Sequence, residues 1–67
     1  MTDRCELFDG YGELVEQWEG PEVPELDRPN ENAVFTYKLR INGGRRWEVP
    51  PGPLRAEVRR IIEEYPR

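Results

Sequence analysis

The sequence predicts an α+β domain: a small four-stranded antiparallel sheet made of two hairpins, with one C-terminal amphipathic helix packed on one face. Three observations point there. Large apolar residues alternate at Phe35, Tyr37, Leu39 and Ile41 and again at Trp47 and Val49, around Asn42-Gly43-Gly44. A weaker alternation flanks Asp9-Gly10-Tyr11-Gly12, and Leu54, Val58, Ile61, Ile62 and Tyr65 fall on one helical stripe. A period of two marks a strand with one buried face, and recurrence at three and four residues marks a helix.

Residues 1–18 read as an acidic hairpin. Cys5, Leu7 and Val15 form one alternating set and Phe8, Leu14 and Trp18 another. A Gly10-Tyr11-Gly12 loop, with glycine in its last position, pairs Leu7 with Val15 and Phe8 with Leu14. Tyr11, Leu14, Val15 and Trp18 also fit a short helix. Two glycines at its start and the cross-strand pairing favour the hairpin. Residues 19–33 carry three prolines, five acids and no usable period, so they read as a solvated connector or a recognition segment, longer than compact domains usually contain.

Residues 34–49 read as a basic hairpin. A two-residue Asn42-Gly43 turn would set Leu39 against Arg46, so the alternation demands a three-residue loop that sets Leu39 against Trp47 and Tyr37 against Val49. Gly44 is the residue expected to take the left-handed conformation in such a loop. Pro50, Pro51 and Pro53 then end strand pairing, and Pro53 suits the first turn of a helix over 53–65 that Pro66 stops. Its stripe is expected to lie on Phe35, Tyr37, Leu39, Trp47 and Val49, with Arg55, Glu57, Arg59, Arg60, Glu63 and Glu64 on the polar side.

Sixty-seven residues make one domain with a thin core. The chain has no histidine and no serine, and its threonines are Thr2 and Thr36. Histidine-based triads are therefore excluded within it, no phosphate-cradling glycine loop is present, and a single cysteine, Cys5, makes neither an internal disulfide nor a zinc site. A non-enzymatic protein is expected, with no cofactor and no metal. With no apolar run of membrane length and no secretory leader, the sequence reads as soluble and cytoplasmic.

Charge is the most informative departure from the ordinary. Residues 1–33 hold ten acids against two bases, and residues 34–67 hold eight bases against four acids, for a net charge of −4. Such an asymmetry steers and orients association. The expected function is that of a small acidic regulator or inhibitor, a protein-interaction module binding a macromolecule, most simply another protein, through charged faces. Lys38, Arg40, Arg45 and Arg46 are the basic candidates for partner binding. Glu13, Glu16, Glu22 and Glu25, with Trp18 and Tyr11 as aromatic anchors, are the candidates on the acidic side. The competing expectation is nucleic-acid binding by the 38–46 hairpin, against which the net negative charge counts. An unpaired strand edge also leaves a homodimer open.

Overall fold

Four strands and one helix succeed one another in the order expected from the alternation in the computed structural model, which describes residues 2–26 and 36–66. They are β1 (Arg4–Phe8), β2 (Leu14–Glu19), β3 (Lys38–Ile41), β4 (Arg46–Glu48) and α1 (Leu54–Glu64). Residues 27–33 of the acidic loop, and Phe35 at the expected start of the third strand, lie outside the described residues. The strands form one antiparallel sheet in the order β2-β1-β3-β4. Since β2 and β3 both run antiparallel to β1, they run in the same direction, and the chain must return along the sheet between them. Such a crossover needs about a dozen residues or more. This accounts physically for the long connection over residues 20–37, which sequence reasoning could explain only as a linker or a recognition segment.

Part of that connection is not solvated. Val23 and Leu26 are buried in the same core as Cys5, Leu7, Leu39, Ile41, Val49 and the helix residues Leu54, Val58 and Ile62. Arg55 Nε donates to the Val23 carbonyl at 3.2 Å, tying the segment to α1. Residues 20–26 are thus a strap across the helix-bearing side, which corrects the expectation of a solvated connector over this stretch. Two apolar residues among acids and prolines have no periodicity, and periodicity is the signal from which burial is read.

The first hairpin has the expected loop and a different register. The Asp9 N–H donates to the Glu13 carbonyl at 2.9 Å, and the Gly12 N–H donates to the Asp9 carbonyl at 3.0 Å. Gly12 has φ +85°, a left-handed conformation open to glycine without steric cost. Asp9 Oδ1 braces the loop, accepting from the Tyr11 and Glu13 N–H groups at 2.9 Å each. Phe8 pairs with Leu14 as expected, but Leu7 pairs with Glu16 rather than Val15 because the register slips between Leu7 and Phe8. Val15 is the extra residue of a β-bulge. One inserted residue reverses the face of everything beyond it, so Trp18, expected beside Phe8 and Leu14, pairs with Cys5 and packs on the core side.

In the second hairpin the expected register holds by another route. Leu39 faces Trp47 and the Val49 N–H donates to the Tyr37 carbonyl at 2.9 Å. The left-handed residues, however, are Asn42 (φ +53°) and Gly43 (φ +72°), not Gly44, and the Gly44 N–H donates to the Ile41 carbonyl at 3.1 Å. This is the two-residue Asn-Gly turn. Arg45 is then an extra residue in the second arm, which restores odd positions opposite odd ones.

Asn42 also joins the hairpins. Its Oδ1 accepts from the Arg4 N–H at 2.9 Å, its Nδ2 donates to Asp3 Oδ1 at 3.0 Å, and its N–H donates to the Arg4 carbonyl at 2.7 Å. Asn42→Ala is expected to cost about 2–3 kcal/mol, through left-handed strain and two lost side-chain bonds. Asn42→Gly should recover part of that by relieving the backbone alone. Equal urea midpoints for the two variants would remove backbone conformation from this account.

Helix α1 starts one residue later than expected. The Pro53 carbonyl accepts from the Glu57 N–H at 3.0 Å, and Pro53 is the cap. The stripe shares its core with Leu39 and Val49, as expected, and also with Cys5, Leu7 and Ile41 of β1 and β3, whereas Trp47 lies outside that cluster. Trp47 sits half-buried on the edge strand, where Tyr65 closes the last helical turn against it edge-on, with ring centroids 6.2 Å apart. Glu57, expected on the polar side, is buried. It folds against Gly52 and pairs with Arg60 at 3.3 Å.

Candidate charged interface

The helix and the strap cover one face of the sheet. The other is occupied by even-numbered side chains on β1, β3 and β4 and at Leu14, and, beyond the Val15 bulge, by Gln17 and Glu19 of β2. Cross-strand pairing sets Glu6 beside Arg40, Arg40 beside Arg46, and Phe8 between Leu14 and Lys38. Arg40 donates from Nε to Glu6 Oε1 at 2.9 Å, and its Nη2 lies 2.9 Å from the same oxygen. Lys38 Nζ donates to Thr36 Oγ1 at 2.8 Å and stands 4.0 Å from Glu48. The Arg46 guanidinium lies over the Phe8 ring, 3.9 Å from its centroid, and buries that ring on the otherwise uncovered face. A long arginine stem covers apolar surface while its charged head stays wet, so Arg46 serves Phe8 as a lid.

The four basic residues singled out from the sequence therefore do not form one patch. Lys38, Arg40 and Arg46 share the uncovered face. Arg45, displaced by its bulge, lies 3.9 Å over the Trp47 ring on the core side. Two of the four already have carboxylate neighbours. Arg45 and Arg46 have none among the described residues, and each is stacked on an aromatic ring, an arrangement worth about 0.5–1 kcal/mol at exposed sites.

On the acidic side the reverse holds. Glu13, Glu16, Glu19, Glu22 and Glu25 make no ion pair among the described residues. Glu16 Oε1 accepts a long bond, 3.3 Å, from the neighbouring Gln17 N–H. These carboxylates follow one another from the hairpin tip along β2 into the strap. Beside them are the two most exposed large apolar side chains, Tyr11 (78% exposed) and Leu14 (46%).

Trp18 is half-buried on the core side, and its indole N–H is buried without an acceptor among the described residues, which costs about 1–3 kcal/mol. Sequence reasoning did not identify Leu14 as exposed, nor the Glu6–Arg40 pair. The Leu14 signal was its place opposite Phe8 at a hairpin tip, whereas the ion pair depends on β1 lying beside β3.

Among the described residues no helix is long and apolar enough to cross a membrane, and no group of acidic and cysteine side chains could hold a metal ion. Comparison with protein-family models, with curated proteins and with solved structures gives no match, so a functional reading rests on the geometry of this surface.

Proposed function

We propose that the protein is a non-enzymatic interaction module, a small acidic regulator or inhibitor that binds a basic surface of another protein through the carboxylates of its β2 side. One observation carries this reading: five carboxylates that make no ion pair among the described residues, Glu13, Glu16, Glu19, Glu22 and Glu25, follow one another along the β2 side, while Lys38 and Arg40 are engaged within the fold. A partner of opposite charge gains from free carboxylates without first breaking an internal pair, and the gain appears as faster, salt-sensitive association. Tyr11 and Leu14 supply the apolar contact that charged rims lack. Cys5, the single cysteine of the sequence and buried in the core, suits a reducing compartment such as the cytoplasm.

The second reading, nucleic-acid binding, is favoured by Arg45 and Arg46. A guanidinium held over a ring without a carboxylate partner keeps N–H donors for a phosphate.

Affinity capture from native lysate, with and without nuclease, separates the two readings. Glu16→Lys with Glu22→Lys and Glu25→Lys is expected to abolish capture of the protein partner, and Arg45→Glu with Arg46→Glu to leave it intact after nuclease. Loss of all bound material with nuclease, together with its loss in the arginine variant, would establish the second reading. If both charge-reversed variants captured the partner normally, neither charged face would be the binding surface.

A further inference from the structure

Resting on the acidic-surface reading, we infer that the partner docks on the free edge of β2 as a fifth strand, an extended segment carrying lysine or arginine. The sheet has two edges, β2 and β4, and they differ. β4 has three residues, begins beside the Arg45 bulge and runs into Pro50-Pro51, the features with which proteins block edge pairing. β2 has six residues, with no proline before Pro21.

The direction of the β2 backbone groups follows from the ladder. The Gly20 N–H donates to the Asp3 carbonyl at 3.0 Å, and in an antiparallel ladder alternate residues face the same neighbour. Trp18 and Glu16 therefore turn their N–H and C=O groups toward β1, and Gln17 and Glu19 turn theirs outward. Among the described residues, the outward Gln17 N–H has only the long bond to the Glu16 carboxylate. An incoming carbonyl replaces that bond with a better one and releases Glu16 beside the new strand.

This exchange identifies the occupant. The released carboxylate, with Glu19 on the same strand and Glu13 just before it, is compensated by a basic side chain and by nothing apolar or acidic. A second copy of the chain fits poorly, because antiparallel pairing of β2 with itself would gather Glu13, Glu16 and Glu19 of both copies in one seam, where like charges repel. Strand addition supplies main-chain bonds, and alternate side chains supply the selectivity.

The test uses the full chain and a synthetic eight-residue peptide alternating valine and lysine. A peptide of the same charge with proline in place of valine serves as the control. Titration is expected to protect the Gln17 and Glu19 amides from hydrogen exchange at least tenfold, with no such protection by the proline peptide. Gln17→Pro removes one outward donor from an edge position that tolerates proline and should weaken binding at least tenfold. Glu16→Gln should weaken it severalfold and flatten its salt dependence.

Binding of both peptides alike, with the Gln17 and Glu19 amides unprotected, would overturn strand addition and leave the acidic-surface reading standing. No binding of either peptide at low salt would remove both. Protection of these amides by protein concentration alone would replace the basic segment with a second copy.

Discussion

Leu7→Ala is expected to lower stability by about 2–5 kcal/mol, enough to leave most of the protein unfolded in buffer. Leu7 is fully buried on β1, a central strand, between Glu16 on one side and Leu39 on the other. It belongs to the cluster that the helix residues Leu54, Val58 and Ile62 cover. A domain of this size rarely draws more than about 3–5 kcal/mol from one core, so a single truncation can exhaust it. Leu14→Ala removes the same atoms from an exposed site and should change stability by less than about 0.5 kcal/mol. Urea titration followed by Trp18 and Trp47 fluorescence measures both. Similar midpoints would mean that the core does not lie on the helix-bearing side of the sheet.

Val23→Asp should be nearly as damaging, about 3–5 kcal/mol, although its segment looks like a loop. Val23 and Leu26 are buried in the main core, and burial of such side chains stabilises by about 1.5–3 kcal/mol each. A carboxylate at position 23 would meet apolar side chains with no paired charge. The cheapest response is release of the strap, which exposes Leu26 as well and withdraws the Val23 carbonyl from Arg55. Glu22→Lys, one position away and exposed, is expected to stay within about 0.5 kcal/mol. If the two variants melted alike, the strap would not be part of the core.

These substitutions mark a boundary in what could be read from residues alone. Leu7, Leu39 and Val58 were legible as buried because period two and period 3.6 are local signals, repeated within one element. Val23 and Leu26 were not, since a lone apolar pair has no period and becomes core only when a crossover brings it there. The candidate surface divides in the same way. The excess of acids in residues 1–33 was visible as composition, and the exposure of Tyr11 followed from its place at a hairpin tip. Which charges remain unpaired could not be read, because Glu6 meets Arg40 only through the pairing of β1 with β3.

By itself the sequence determined two hairpins, a proline-bounded helix, the pairing of Leu39 with Trp47, and the two-sided charge. The hairpins, the helix and the Leu39–Trp47 pairing are each set by residues close along the chain, and the charge asymmetry is a matter of composition. Tertiary structure alone decided the strand order, the burial of the strap, and the Val15 bulge that turns Trp18 from the open face to the core. The physical reason is that these outcomes depend on apolar surface gained across the whole sheet. A bulge disturbs the ladder locally, but it places an indole against Cys5 and its neighbours, and burial of a large ring contributes more than one regular ladder step.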